Sequence, residues 1–258
     1  MKALRWTVVN VVPPLAILIL IGVGWQVYID ASGISPVILP SPGEVAEALA
    51  DNRSLLLSDL WVTGKEIIYG LFIGVAAGML LGMLIAGSKA FERSLYPLVI
   101  ASQAVPVFAL APLLVIWFGF GTMPKVLMAA VIVFFPICVN QVVGLRSADP
   151  GAIDVMRSYG AGEVRIFRSV RFPSSIPYLL AGTQLGATYA VIGAVIAEWL
   201  GANKGLGYRM VAANAAANTD LVFAAIFVTA LAGIVLFVLV RVIGNLLFPW
   251  QAKSGHAT

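Results

Sequence analysis

Apolar residues run along this chain in long blocks that short polar stretches interrupt. Six blocks approach or exceed the 20 or so residues that a helix needs to cross a bilayer core, at about residues 11–29, 61–87, 95–118, 124–144, 175–200 and 221–247. None shows the alternation of a membrane strand, and a backbone without water must satisfy its hydrogen bonds internally, so helices are required. The pattern predicts an all-α polytopic membrane protein with about six transmembrane helices and a single domain over residues 1–258. The first block opens on prolines and is followed by no small-residue cleavage site, so it reads as a retained span and not a signal peptide.

The polar stretches carry their own signals. In the 30–60 segment, Ser41-Pro42-Gly43-Glu44 has a cap residue, a proline at the first helical position and Glu at the third. This capping box predicts a short surface helix over 42–50. The 146–173 segment is too polar to span and reads as helix, turn, helix. Asp149 caps the first helix with Pro150 behind it, residues 160–162 break it, and a basic helix over 163–171 is expected to stop at Pro173.

Within the blocks, glycine and proline stand out. Gly70, Gly74, Gly78 and Gly82 recur every fourth residue along one face of span two, where a neighbouring backbone can approach closely. Gly182, Gly186, Ala190 and Ala194 repeat the pattern more weakly in span five. Packing is the first reading of both, and a sliding interface the second. Span three holds Pro97, Pro106 and Pro112 around Gln103, which predicts either a kink or a broken helix lining a cavity. Gln103, Asn140, Gln184 and Tyr189 are the polar groups at depth. Lys65 and Glu66 lie near one end of span two, placed to pair with each other or to snorkel, and Glu198 closes span five at the interface. No single span holds two mid-membrane carboxylates, which argues against an ion-coupled carrier.

Composition and charge narrow the class. The chain is 60% hydrophobic and 11% charged, with a mean hydropathy of +0.98. Ordinary soluble domains carry roughly 25% charge, so lipid is the natural solvent for this surface. Lys and Arg are scattered around the spans and form no stripe suited to nucleic acid. With a cytoplasmic N-terminus, the inner side holds Lys2, Arg5, Lys89, Arg93, Arg146, Arg157, Arg165, Arg168, Arg171, Arg241 and Lys253. The outer side holds Arg53, Lys65, Lys125, Lys204 and Arg209. Eleven against five predicts that both termini and the 146–173 loop are cytoplasmic. Trp6 and Trp250 stand where interfacial anchors belong, His256 lies in a polar tail, and the lone Cys138 reads as a small buried hydrophobe. No G-x-x-x-x-G-K-[ST] phosphate loop, H-E-x-x-H or G-x-S-x-G motif is present. If a nucleotide powers transport, another subunit binds it. The pattern offers no candidate catalytic group, metal ligand or cofactor site.

The 146–173 loop carries a resemblance. Binding-protein-dependent ABC importer permeases have a loop patterned E-A-A, three residues, G, nine residues, I-x-L-P. Here stand Asp154-Val155-Met156, three residues, Gly160, nine residues and Val170-Arg171-Phe172-Pro173. The Gly-to-Pro spacing is kept, while Val155 and Met156 replace the two alanines. Further matches extend over nearly the whole chain: Leu39-Pro40-Ser41-Pro42, Ala111-Pro112-Leu113-Leu114, Trp117-Phe118-Gly119, Phe135-Pro136-Ile137, Ala197-Glu198-Trp199 and Gly205-Leu206-Gly207-Tyr208. Together they resemble the nitrate, sulfonate, taurine and thiamine-precursor branch. Ser102-Gln103-Ala104-Val105-Pro106 is most similar to permeases for pyrimidine thiamine precursors and riboflavin. Glu66 stands where that branch commonly has a basic residue.

The resemblance implies a type I ABC importer fold, similar to the methionine permease, in a bacterial inner membrane. It implies a homodimer of this chain, two cytoplasmic ATPase subunits docked at the loop and an extracytoplasmic substrate-binding protein. The implied coupling residues are Asp154, Arg157, Ser158, Gly160, Ala161, Glu163, Phe167 and Pro173, and the implied pathway residues are Gln103, Gln184, Tyr189 and Glu198. The expected cargo is a small polar solute, a pyrimidine thiamine precursor first and a sulfonate, taurine or nitrate second. A stand-alone secondary carrier, a membrane-embedded enzyme and a purely structural assembly partner are the rival classes.

Overall fold

The computed structural model describes residues 2–249, and side chains from residue 12 onward. Trp250, Lys253, His256 and the side chain of Trp6 lie outside the described residues. Five long helices are apolar enough to cross a membrane: α1 (Lys2–Ser32), α3 (Arg53–Gly87), α6 (Thr122–Arg146), α9 (Phe172–Gly201) and α11 (Thr219–Leu247). Shorter helices are α2 (Pro42–Asp51), α4 (Lys89–Ser102), α5 (Leu110–Phe118), α7 (Pro150–Ser158), α8 (Glu163–Ile166) and α10 (Leu206–Ala215). No strand occurs among the described residues.

The third apolar block is a broken helix pair. α4 and α5 meet at 82°, joined by residues 103–106 and a single 3₁₀ turn, Val107–Ala109. α4 ends at Ser102, and Pro106, which has no N–H to give to the Ser102 carbonyl, cannot continue its ladder. The pair nonetheless crosses the bundle. Gly70 lies against Ala129 and Gly82 against Gln141, so α3 and α6 run parallel. Two parallel helices need a crossing between them, and α4–α5 is the only chain available.

α6 is the hub. On one side it takes the four glycines of α3, all buried. A Cβ added at Gly74 would meet the Ala130 carbonyl oxygen at 2.7 Å and the Val133 Cβ at 2.6 Å. At Gly78 it would meet the Phe134 carbonyl oxygen at 2.7 Å, and at Gly82 the Gln141 Cβ at 2.8 Å, while at Gly70 it would collide with the Ala129 methyl. On the other side α9 runs antiparallel, with Gly193 over Ala129 and Gly182 over Asn140. Val133, Ile137, Ala187, Ala190 and Ala194 fill the resulting core. α1 stands apart, burying no residue of its apolar window; it meets α2, and its Trp25 ring lies against that of Phe223 with centroids 5.6 Å apart.

The Ser41 capping box forms. The Glu44 N–H donates to Ser41 Oγ at 3.2 Å, and the Ser41 N–H donates to Glu44 Oε2 at 2.6 Å. It starts α2, whose Ala48 packs with Leu206, Ala213, Leu221 and Ala224 where α10 meets α11. α10 is an element that the hydropathy pattern does not announce.

Replacing Gly74 by leucine forces a side chain into contact with α6 backbone. Overpacking of this kind costs about 1–3 kcal/mol, which lowers a thermal midpoint by several degrees. Gly64, one helix face away, has nothing within 4 Å of an added Cβ. Gly64→Ala therefore does not lower the midpoint of the detergent-solubilised protein, since alanine is the better helix former, and a fluorescence melt compares the two.

Candidate functional site: the 146–173 loop and the opposite polar cluster

The loop is built to hold one shape. The Asp149 carboxylate accepts from the Gly151 N–H at 2.9 Å, and Pro150 supplies the first residue of α7. At the other end Gly160 takes φ +76°, the left-handed conformation that closes a helix. The Gly160 N–H donates to the Arg157 carbonyl at 2.9 Å, and the Ala161 N–H to the Met156 carbonyl at 3.0 Å. These two bonds are the paired closure of a Schellman turn. Ser158 Oγ donates to the Val155 carbonyl at 2.8 Å.

Ion pairs tie the turn to α8 and the basic segment beyond it. Arg157 donates to Glu163 at 2.9 Å and lies 3.7 Å from Asp154, and Arg171 reaches Glu163 at 3.8 Å. The Arg157 hydrogen bond, with charge from Arg157 and Arg171, holds the exposed Glu163 carboxyl below its usual range. These are surface pairs, so each contributes little energy but fixes geometry as a group. Beneath them Ile166 is fully buried, and Phe167 packs its ring 6.0 Å from that of Phe172. Tyr159 projects from the tip at 87% exposure, with Val155 and Val164 exposed beside it.

Pro173 does not stop the second helix. Residues Phe167–Arg171 form a wide π turn and pass directly into α9. A proline is tolerated in the first turn of a helix segment, where its missing N–H is not needed, and the wide turn supplies that position. The loop is therefore continuous with a helical rod, Glu163–Gly201, of 39 residues.

The far end of that rod enters a buried polar cluster. The N-terminus of α10 points three successive N–H groups into it. The Gly205 N–H donates to Asp59 at 3.1 Å, the Leu206 N–H to Thr63 Oγ1 at 2.9 Å, and the Gly207 N–H to Glu198 Oε2 at 2.6 Å. Thr63 Oγ1 donates in turn to Glu198 Oε1 at 2.7 Å, and Arg209 Nε donates to Asp59 at 2.7 Å. The orphan donors of a helix start are thus satisfied by α3 and α9, with carboxylates at the positive end of the helix dipole. Gly205 holds φ +118°, and a Cβ there would collide with the Glu198 carboxylate.

The four expected pathway residues do not share one environment. Gln103 is exposed at the α4–α5 break, and Tyr189 is exposed on α9 with Gln184 half-buried nearby. Glu198 is 1% exposed and bonded within the cluster, so in the single chain it faces no open path.

With this geometry in view, comparison with known proteins is decisive. Residues 74–252 match the family described as "Binding-protein-dependent transport system inner membrane component". The chain belongs to that family. It is an ABC importer permease, a multi-pass inner-membrane transport subunit. It is 36% identical to the formylaminopyrimidine transport permease protein ThiX of Halalkalibacterium halodurans, over 93% of this chain and 96% of that one. It is 35% identical to the riboflavin transport system permease protein RibX of Chloroflexus aurantiacus, over 92% of this chain and 89% of that one. An inward-facing structure of the MetNI methionine ABC transporter shares the fold, with TM-score 0.59, 20% identity, and coverage of 74% of this chain and 97% of that one.

Two sequence expectations for this permease change. Glu66 pairs not with Lys65 but with Lys125 of α6, at 3.5 Å, while Lys65 lies over the Trp61 ring at 5.5 Å. A helix turns its face within one residue, so neighbours in sequence point apart, Glu66 into the bundle and Lys65 outward. And where no pair of mid-membrane carboxylates was expected in any span, α3 buries both Asp59 and Glu66, and the fold brings Glu66 beside Glu198 of α9. Asp59, Thr63, Lys125 and Arg209 are not linked by any sequence pattern. The available signal was ionisable residues within or beside apolar spans, which need partners there.

The cluster predicts a local effect. Gly205→Ala places a methyl against the Glu198 carboxylate at a strained φ, loosening the α9–α10 turn. Limited trypsin digestion at the exposed Lys204 in that turn is expected to speed up several-fold, with cleavage elsewhere unchanged.

Proposed function

We propose that two copies of this permease form the pore, that an ATPase subunit docks on each 146–173 loop, and that a binding protein delivers cargo to the opposite face. The carrying observation is the loop itself: a short helix closed by a Schellman turn at Gly160, with Tyr159 exposed at its tip, fused to a rod that crosses the bundle. A separate motor subunit needs a stiff, projecting handle whose movement is not lost in the linker. The coupling contacts are Asp154, Arg157, Ser158, Gly160, Ala161, Glu163 and Phe167, with Pro173 at the root.

Gly160→Val removes the left-handed turn and costs about 1–3 kcal/mol of strain. Uptake by the ATPase-containing complex is expected to fall about tenfold or more, each factor of ten being about 1.4 kcal/mol. Membrane level of the permease stays normal. Normal uptake in the variant removes the loop from the coupling role.

The orientation follows from the Lys and Arg bias: loop and both termini cytoplasmic. Cys138 is the only cysteine and is buried, so an introduced thiol reports cleanly. A membrane-impermeant maleimide added to intact cells labels Lys204→Cys but not Ser158→Cys, and in inverted vesicles it labels Ser158→Cys but not Lys204→Cys. The reverse pattern inverts the topology.

The cargo reading is a pyrimidine thiamine precursor or related heterocycle, supported by the names of the two relatives above. Gln103, exposed where the third crossing breaks, is the side chain placed to meet it, with Gln184 and Tyr189 on α9. Gln103→Ala is expected to lower uptake of the pyrimidine or change its competition by analogues. Uptake of a sulfonate or taurine in its place by the reconstituted complex would move the cargo to that class.

A further inference from the structure

The cluster around α10 is unbalanced in charge. It holds three carboxyl groups, Asp59, Glu66 and Glu198, and two cations, Lys125 and Arg209. Asp59, Glu66 and Glu198 are 1–2% exposed and Lys125 is 7% exposed, so an uncompensated charge among them is costly.

The hydrogen bonds show which carboxyl groups are anionic. Asp59 receives Arg209 and the Gly205 N–H. Glu198 receives Thr63 on one oxygen and the Gly207 N–H on the other, at the positive end of the α10 dipole. Among the described residues no protein group donates a hydrogen bond to either Glu66 oxygen, and Lys125 Nζ stands off at 3.5 Å. A carboxylate is an acceptor only, and two donorless oxygens are a poor site for a full charge. A carboxylic acid has an O–H to give, and the Glu198 carboxylate lies beside it.

We propose that this cluster is a proton-binding site: Glu66 carries one bound proton and donates it to Glu198. The proton comes from hydronium: one of its O–H bonds breaks, an O–H bond forms on the Glu66 carboxylate, and water is released. The cluster then divides into two neutral sets, Asp59 with Arg209 and the Glu66–Glu198 pair with Lys125. A hard metal cation, which takes six or more oxygen ligands, is a poor alternative, because the oxygens of Asp59 and Glu198 are already engaged by N–H and O–H donors. No group of three or more metal-ligating side chains occurs among the described residues. The inference needs neither the cargo nor the ATPase, so it stands apart from the proposed function.

Infrared spectroscopy of the full chain in lipid nanodiscs at neutral pH tests it. A buried protonated carboxyl gives a carbonyl-stretch band above the carboxylate and amide bands, shifted in D₂O. The wild type is expected to show the band and Glu66→Gln to lose it at an unchanged thermal midpoint, since glutamine is the neutral isostere. Glu198→Gln is expected to melt lower, because an anion that two donors require has been removed. Absence of the band in the wild type overturns the proposal. So does its survival in Glu66→Gln, or failure of that isosteric variant to fold.

Discussion

Everything in this permease rests on how closely α6 can be approached. Apolar side chains gain nothing by leaving lipid for another apolar surface, so helices in a bilayer are held by dispersion and by the polar bonds that close approach permits. α6 is gripped on both sides. The four glycines of α3 bring its backbone onto α6 carbonyls, and the small residues of α9 do the same from the other side. Only because these backbones are so near can side chains from α3, α6, α9 and α10 reach one another at the far end.

That arrangement gives the molecule two ends joined by one element. The rod from Glu163 to Gly201 starts at the loop and finishes at Glu198, among the bonds that hold the α9–α10 turn. Its 39 residues at about 1.5 Å each make it longer than the bilayer core is thick. The loop at one end is fixed by a left-handed glycine and exposed ion pairs; the turn at the other by buried carboxylates and helix-start amides. The two ends thus use opposite means, solvated and adjustable at the loop, dry and fully determined at the cluster.

Much of this was legible in the sequence, for reasons that differ by element. The spans follow from length and hydropathy, the α2 start from four residues of local capping chemistry, and the Gly160 turn from spacing within one loop. These are properties of single segments. The α3 ladder was legible as a face, but not its partner, because the pairing of Gly78 with Ile137 depends on two helices running parallel across a bent crossing. The same limit applies to Glu66. Its true neighbours, Lys125 and Glu198, are 59 and 132 positions away, and the adjacent Lys65 was the misleading local choice. Pro173 failed differently: a rule about helix ends was right for an α-helix and was bypassed by a π turn.

The π turn at Phe167–Arg171 also changes how this stretch can be read on paper. An i→i+5 turn takes in one residue more than an α turn, so the angular phase of everything beyond it slips by about one residue, roughly 100°. A helical wheel drawn through the rod as one uniform helix would set the stripes of α8 and α9 out of true by that amount. Faces counted upward from Glu163 therefore do not continue onto α9, and periodicity has to be restarted at Phe172.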